Sequence, residues 1–426
     1  MGSTATSLLE DFDPFRIDVQ QNPFPYYAAM RETSPAWQLP GTDLHFITRY
    51  DLVSSMVRDT ETFSSAFGAT PNEPPAPHLA AELDAIKARG WVRPPTMLTV
   101  DPPDHTRYRN TVARSFNARS IAALRPIVEM IVDEELDRVI DAGVVDLRET
   151  FSRPVPVRVI IAALGLDPAR QPDIGRWSDD STASIGSRLT DERTIEAQHG
   201  ILELQQYMHA ELTERQRALR DDVVSKLVAS ELPLPDGTSR PLTMEELMGI
   251  LQQLIGAGNE TSTKLFSEMI RLLAEHPEQW RRLRADPSRA AIVVEEALRL
   301  ATPSQAMYRL VMRDVDIDGV HVPAGARVLL AYSAANRDPA KFPDPDAFDP
   351  DRPNVRDHLA FGAGVHFCIG APLSRLEAVV GLERMAARVA DITLSPANTF
   401  TYEPSYILRG LTELLVDVRG EATASG

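Results

Sequence analysis

Residues 243–273 constrain the fold most, because they encode a single long helix. Thr243 and Glu246 form the threonine-x-x-glutamate pattern of a capping box, and an apolar helical pattern then continues to Leu273, before Pro277. At about 1.5 Å per residue, roughly 30 residues make a helix about 45 Å long, which can cross a whole domain. Because the pattern from about residue 104 to residue 300 is also mostly helical, the chain is predicted to be mainly α with minor β.

Shorter elements are expected on both sides of this helical region. Residues 66–100 are rich in proline and lack periodicity, which predicts a long irregular loop, and long loops in compact domains are often functional. The remaining predicted elements are strands at Ala36–Leu39 and His45–Thr48, a helix from Asp286 and Pro287 to about Leu300, short strands within 308–331 around a turn at 323–325, a last helix over about 371–391, and strands from there to Val418.

Composition excludes several classes of protein. The 426 residues carry a net charge of −17, which argues against nucleic-acid binding, and the 43% apolar content supports a substantial core. The longest apolar run, Val159–Leu166, is far shorter than the roughly 20 residues that a membrane helix needs. With no leader-like start and a single cysteine, we expect a cytoplasmic protein that has no membrane segment and no disulfide. Nothing indicates an oligomer, so a monomer is expected.

The single cysteine lies in an unusual segment, Phe361–Gly370. A lone cysteine is most often a small buried hydrophobic residue. Here, however, three glycines within ten residues allow backbone turns that a side chain would block. A helix is predicted to start just after Cys368, with Pro372 in its first turn, so the amides at the helix end can stabilise a thiolate.

This segment matches F-G-x-G-x-H-x-C-x-G at every specified position, from Phe361 and Gly362 to Gly370. It resembles the heme-binding loop of the cytochrome P-450 superfamily. The resemblance implies that Cys368 is the axial iron ligand and that His366 reaches a heme propionate; a thiolate ligand favours O–O cleavage. It also implies the cytochrome P-450 fold, a triangular helical bundle with small β-sheets that holds heme between the long central helix and the helix after the cysteine loop.

The middle of the long helix is rich in residues that form helices poorly. It contains Gly256, Gly258 and a run of polar residues, and each glycine costs a helix interior about 0.5–1 kcal/mol relative to alanine. Close helix packing would explain this as well as function would. Beside the cysteine loop, however, Ala257 to Thr261 resembles the family's oxygen-activation motif, A/G-G-x-D/E-T. The resemblance implies that Thr261 hydrogen-bonds iron-bound dioxygen and that Glu260 supplies protons through water.

Glu296 and Arg299 match the family's E-x-x-R pattern, which alone means little. Such pairs are usually solvated contacts on a helix face, and Glu278 and Arg281 fit the pattern as well. Among the pairs that fit this pattern, we favour Glu296 and Arg299 because they lie on an apolar predicted helix. A charged pair there is expected to be buried, and buried charges need strong hydrogen-bonding or ionic partners. By resemblance, Arg352 completes a structural ion network that locks the heme-side core.

Four basic residues are candidates for the heme carboxylates. His105 and Arg109 are spaced i,i+4 on one predicted helix face, within D-P-P-x-H-T-R-x-R, which resembles the family's propionate-binding helix. Arg309 precedes the predicted strand pair at the position the family leads one to expect. Together with His366, these residues supply the donors that two buried propionates need.

The resemblance implies a single heme domain over residues 1–426 with no fused reductase. The expected cofactor is heme b, with O2 and electrons from NAD(P)H delivered through a separate ferredoxin or flavodoxin; Arg114 and Arg375 are candidates for that contact. The expected reaction is hydroxylation of a C–H bond of a hydrophobic small molecule. Gly256, Met307 and Ile407 are predicted to line the substrate pocket.

Three other functions stay open. The first is a peroxide-driven peroxygenase, although such relatives commonly replace the acid and alcohol that Glu260 and Thr261 provide. The second is a heme protein that senses a ligand without catalysis, and the third is a helical interaction protein without cofactor. NADH consumption that depends on substrate and ferredoxin would distinguish the leading function from the first two, and heme in the purified protein would exclude the last.

Overall fold

A computed structural model describes residues 7–66 and 76–421. The helices are α1 Ile17–Gln21, α2 Phe24–Thr33, α3 Tyr50–Met56, α4 Ala80–Lys87, α5 Asp104–Ser115, α6 Ala118–Ala122, α7 Arg125–Val139, α8 Pro154–Leu164, α9 Gln171–Thr182, α10 Asp191–Arg217, α11 Val223–Val228, α12 Met244–Glu275, α13 Pro277–Ala285, α14 Ala290–Ala301, α15 Tyr332–Ala335 and α16 Ala371–Arg388.

The strands are short and belong to small sheets. They are β1 Trp37–Gln38, β2 Leu44–Ile47, β3 Phe63–Ser64, β4 Val144–Asp146, β5 Glu231–Pro233, β6 Ser239–Pro241, β7 Met307–Val311, β8 Val315–Ile317, β9 Val320–Val322, β10 Arg327–Leu330, β11 Val389–Leu394 and β12 Leu415–Gly420. One sheet has the order β1-β2-β10-β7-β3, a second has the order β11-β12-β4, and two pairs, β5-β6 and β8-β9, stand alone. The mainly α fold with minor β is therefore confirmed.

The long helix α12 runs through the largest apolar core. Its 32 residues correspond to about 48 Å, and the predicted capping box is present: Thr243 accepts a hydrogen bond from the Glu246 amide and the Glu246 side chain accepts one from the Thr243 amide. Helices α8, α9, α10 and α14 pack against α12. Most of its side chains are buried all round, as expected of a helix at the centre of a domain.

Predicted boundaries differ from the structure at three places. The region predicted as a wholly irregular loop contains α4, which buries Leu83 and Ile86, spaced i,i+3, on one face; residues 67–75 of that loop lie outside the described ranges. The helix predicted from Asp286 starts as a 3-10 turn, Pro287–Arg289, before α14. The last helix ends at Arg388, where β11 begins pairing with β12.

Along residues 7–66 and 76–421, every helix is either too short or too polar to span a lipid bilayer.

Candidate active site

Cys368 lies on a loop that is folded tightly before α16. The chain takes left-handed turns at Gly362 (φ 66°) and Gly364 (φ 69°), and the amide of Cys368 then donates to the carbonyl of Phe361 at 3.0 Å. At Gly364, a Cβ atom would lie 3.2 Å from the Cα of Arg58, so both the backbone angle and the available space favour glycine. The glycines thus let the loop present the cysteine at the start of the helix.

The Cys368 thiol sits in a mixed environment. Burial raises the pKa of the thiol, whereas hydrogen bonds from the backbone amides of Gly370 and Ala371 and the charge of Arg109 oppose that rise. The side chain is nevertheless accessible to solvent. The thiol is therefore open to a ligand that approaches the loop.

His105, Arg109, Arg309 and His366 form a basic cluster near this thiol. The rings of His105 and His366 lie 4.2 Å apart between centroids, although one residue is on α5 and the other is on the cysteine loop. Burial, together with the nearby charges of His105 and Arg309, lowers the pKa of His366 to about 4. Arg309 belongs to β7, and its Nη1 donates to the carbonyl of Tyr308 at 2.7 Å. The fold therefore brings together four basic groups that are far apart in sequence.

On α12, the residues of the A-G-x-E-T run face different surroundings. Ala257 is accessible although most of the helix is buried, and Thr261, one turn later, is half-buried. The Thr261 hydroxyl donates to the carbonyl of Ala257 at 2.7 Å. Ala257 and Thr261 therefore share one accessible face of an otherwise buried helix.

Glu260 points to the other side of α12, into a chain of ion pairs. The ammonium group of Lys264, one turn later, donates to both Glu260 and Glu403, and Arg148 pairs with Glu403 at 2.7 Å. Burial alone would raise the pKa of Glu260, but the adjacent Lys264 outweighs it and holds the pKa low. Burial and the charge of Glu260 raise the pKa of Asp179 on α9 to about 6.

Comparison with known proteins decides the family. A chain of 34% identity, 6-deoxyerythronolide B hydroxylase of Saccharopolyspora erythraea, matches over 96% of this chain and 98% of its own length. The chain belongs to the cytochrome P-450 family. The family's sequence model, described as cytochrome P-450, matches residues 194–388.

Further relatives agree with this assignment to the cytochrome P-450 family. Vitamin D(3) 25-hydroxylase of Pseudonocardia autotrophica is 34% identical and matches over 96% of this chain and 97% of its own length. The solved structure of cytochrome P-450 CYP109Q5 from Chondromyces apiculatus superimposes with a TM-score of 0.83 at 33% identity, covering 97% of this chain and all of the other. As a cytochrome P-450, the protein is an oxidoreductase that uses heme b, O2 and electrons from a redox partner to incorporate oxygen into a substrate.

The donors of the basic cluster fit the heme of a cytochrome P-450. Both ring nitrogens of His105, Nε2 of His366 and Nε of Arg309 are buried without a hydrogen-bond partner among the described residues. Buried polar atoms without partners are costly and rare in folded proteins. The nearest acid, Asp101, lies 3.8 Å from His366 Nε2 and is itself bonded to the amide of Ser65. Two carboxylates placed among these groups would accept hydrogen bonds from their N–H donors, as heme propionates do.

The predicted ion network of this cytochrome P-450 is assembled in the core. Glu296 and Arg299 are fully buried and form two hydrogen bonds of 2.7 and 2.8 Å, and Arg352 Nε lies 3.4 Å from Glu296. The amide of Asp349 donates to Glu296 at 3.0 Å, and Arg299 also donates to the carbonyl of Asn336 at 2.8 Å. The network thereby ties α14 to the segment that leads to the cysteine loop.

The residues predicted to line the substrate pocket lie in varied surroundings. Gly256 is buried against α9, where a Cβ atom would meet Ser181 at 3.8 Å, so it faces a helix contact and not the accessible face of Ala257. Ile407 is only 1% exposed and packs in an apolar cluster. Met307 is half-buried at the start of β7. These positions do not favour a lining role for Gly256 or Ile407.

Phe361 and Arg375 contact each other beside the cysteine. The Arg375 guanidinium lies 4.6 Å from the centre of the Phe361 ring, and Glu295 binds the same guanidinium through contacts of 2.7 and 2.9 Å. The charge of Arg375 is therefore already matched within the chain, whereas Arg114 is exposed.

Sequence reasoning missed three members of the site. Lys264 follows Glu260 at i,i+4, a spacing that could have revealed the pair. Glu403 and the buried Glu377, whose raised pKa is partly counteracted by Ser262 on α12, come from distant parts of the chain. No local sequence pattern predicts contacts between residues that are so far apart in the chain.

Proposed function

We propose that this cytochrome P-450 hydroxylates a C–H bond of a hydrophobic small molecule. Its electrons come from NAD(P)H through a separate ferredoxin or flavodoxin. The observation that carries the proposal is the combination, in one chain, of the presented Cys368 thiol with the acid and alcohol Glu260 and Thr261 on the central helix. A heme protein that only binds ligands has no use for that acid and alcohol.

Cys368 is the proposed iron ligand, and the basic cluster is the proposed holder of the propionates. Phe361 and Gly362 on the loop, and the accessible Ala257 on α12, are the proposed contacts to the faces of the heme. When bound, heme supplies the activation of O2 at its iron. Glu296, Arg299 and Arg352 have a structural role in this proposal, because they hold α14 in place without reaching the accessible face of α12.

Thr261 and Glu260 are the proposed proton-handling residues. The Thr261 hydroxyl can turn from the Ala257 carbonyl toward a group on the accessible face of α12, because a hydroxyl both donates and accepts. Glu260 can pass a proton only after its carboxylate exchanges Lys264 for water. Lys264 is therefore a positioning residue in this scheme.

The names of relatives support a sizeable apolar substrate. Two relatives at 34% identity are named as hydroxylases of 6-deoxyerythronolide B and of vitamin D(3). Met307, half-buried at the start of β7, remains a proposed lining residue. Gly256 and Ile407 are proposed to lie directly behind the residues that line the pocket. We further propose a monomeric, cytoplasmic protein that forms one heme domain over residues 1–426.

The carbon monoxide difference spectrum of the reduced, heme-loaded protein tests the proposal first. A far-red-shifted Soret band is expected in the natural protein and is expected to be lost in Cys368→His, which retains a ligand of different chemistry. NADH consumption that requires both ferredoxin or flavodoxin and an apolar substrate is the second expectation. Turnover with peroxide alone would instead establish a peroxygenase, and heme without the shifted band would overturn the thiolate assignment.

A further inference from the structure

Two neighbouring acids on α14 hold different parts of the protein. Glu296 binds Arg299 and Arg352, whereas Glu295 binds residues on either side of the cysteine loop. Glu295 is 2% exposed, so its carboxylate also lies in the core. Successive residues of a helix project about 100° apart, which lets the two acids serve separate partners.

Glu295 holds the chain just before the cysteine loop through His358. The His358 Nε2 atom lies 2.9 Å from the carboxylate, and this histidine is 7% exposed. The amide of Ala360 lies 3.2 Å from the other ring nitrogen, Nδ1, and an amide N–H can only donate. Nδ1 is therefore the acceptor, and the Nε2 proton is donated to Glu295.

The same carboxylate holds the chain just after the loop through Arg375 on α16. The guanidinium donates from Nε at 2.7 Å and from Nη2 at 2.9 Å, one bond to each carboxylate oxygen, and such a two-point contact fixes its orientation. The exposed Arg356 lies farther away, at 3.7 Å. One buried acid thus joins both flanks of the loop that carries Cys368.

The charge of Arg375 acts on the thiol. Its guanidinium lies 4.6 Å from the centre of the Phe361 ring, and the Phe361 carbonyl accepts the hydrogen bond of the Cys368 amide. Arg375 is also among the groups that oppose the raised pKa of the Cys368 thiol. Burial alone would raise the pKa of Glu295, but hydrogen bonds from Arg375 and His358 lower it to about 2. A full negative charge therefore stands beside the positive charge of Arg375.

We propose that Glu295 is a positioning residue of the thiolate site, which fixes the cysteine loop from both sides and balances the charge that Arg375 places near Cys368. The inference rests on the proposed ligation of iron by Cys368. Reduction of the iron adds one negative charge to the site. An unbalanced positive charge nearby would therefore favour reduction, and an unbalanced negative charge would oppose it. The ion pair keeps the reduction potential between these two extremes.

Equilibration of the heme-loaded protein with redox dyes measures the reduction potential without substrate or redox partner. Glu295→Gln leaves Arg375 unbalanced and is expected to favour reduction about tenfold, a rise of about 59 mV for a one-electron couple. Arg375→Met leaves the buried acid unbalanced and is expected to lower the potential by a similar amount. The double variant lacks both charges and is expected to stay within about threefold of the natural protein.

Arg375→Lys separates the effect of charge from that of geometry. Lysine keeps the positive charge but cannot make the two-point contact, so the potential is expected to stay near that of the natural protein although the free energy of unfolding falls. Glu278→Gln and Arg281→Met are the matched controls. They change the net charge in the same way at an exposed acid and an exposed arginine three residues apart, and neither is expected to shift the potential.

The direction of the shifts decides the outcome. Shifts of the same sign in Glu295→Gln and Arg375→Met, or no shift in either, would overturn the inference, because a merely structural contact gives no opposite signs. If Glu295→Gln loses the shifted carbon monoxide band, that loss supports the holding of the loop. The charge effect then requires a lower potential in Arg375→Met than in Arg375→Lys, and equal potentials would overturn it.

The carbon monoxide band of the natural protein separates the two levels of the proposal. Its absence would overturn the proposed function, since Cys368 would not ligate iron as a thiolate. A normal band without the opposite shifts would overturn the role of Glu295 alone.

Discussion

Lys264 donates a hydrogen bond to the carboxylate of Glu260 one helical turn before it, inside the central helix of the protein. The lysine is 2% exposed, and its ammonium group also contacts Glu403, which links the pair to Arg148. The residue proposed to supply protons is therefore held on the side of α12 away from Thr261. Removing or weakening that contact is the most direct way to change its protonation.

Lys264→Met is expected to lower the free energy of unfolding by about 3–5 kcal/mol, because it leaves a buried carboxylate without its cation. The pKa of Glu260 is expected to rise for the same reason. Denaturant unfolding of the heme-loaded protein measures the first effect. The double variant Glu260→Gln with Lys264→Met should recover most of the loss, since no charge is then left unpaired. A single variant as stable as the natural protein would contradict the pairing.

Thr261→Ala is expected to keep NADH consumption but to divert most of the electrons to peroxide, since the proposed hydroxyl for directing protons is gone. The ratio of hydroxylated product to NADH measures this coupling. Thr263→Ala is the matched control: Thr263 donates to the Asn259 carbonyl at 2.9 Å in the same way, but it is buried away from the accessible face. Equal uncoupling in both variants would argue against a specific role for Thr261.

Glu296→Gln is expected to destabilise the protein by about 3–5 kcal/mol, because the fully buried Arg299 then loses its counter-charge. Thermal and denaturant unfolding measure the change. Glu278→Gln serves as the control, since Glu278 also stands three residues before an arginine but is exposed, and its loss should cost less than about 0.5 kcal/mol. Similar effects of the two substitutions would show that the network does not stabilise the core.

Arg309→Ala is expected to speed the loss of heme about tenfold to a hundredfold. A hydrogen bond to a charged group contributes about 1.5–3 kcal/mol, and every 1.4 kcal/mol corresponds to a factor of ten. Transfer of heme to an excess of apomyoglobin measures the rate. Arg109→Ala should behave similarly, whereas the exposed Arg114→Ala should not change the rate. Unchanged rates in both cluster variants would remove the propionate assignment.

Glu377 is expected to make stability depend on pH. Burial raises the pKa of this carboxyl to about 8 from an ordinary value of 4.5. Between these values the unfolded chain releases the proton while the folded protein keeps it, so the stabilisation is complete below pH 4.5 and is lost as pH rises toward 8. The free energy of unfolding of Glu377→Gln should therefore rise relative to that of the natural protein by about 1.4 kcal/mol for each pH unit across this window.

Unfolding free energies of the two proteins at both ends of the window measure this gain. A difference between them that stays constant with pH would show that Glu377 titrates normally. Ser262→Ala provides a further comparison, because the Ser262 hydroxyl partly counteracts the raised pKa.

The long helix and the cysteine loop were predictable because their determinants are local. A capping box, an apolar helical period and closely spaced glycines act within a few residues, as at Thr243 and Gly362. Helix α4 was missed because a short amphipathic turn between prolines carries too few residues to show a period. The end of α16 was misplaced by three residues because pairing of β11 with β12, a contact between distant segments, ends the helix.

The sequence by itself determined the kind of site, through the residues of the cysteine loop and the A-G-x-E-T run. Only the tertiary structure decided the partners of those residues. It brought Lys264 and Glu403 to Glu260 and placed the His105 ring beside that of His366. The physical reason is that a motif specifies chemistry within one turn of chain, whereas burial and charge pairing depend on segments that meet only when the whole core packs.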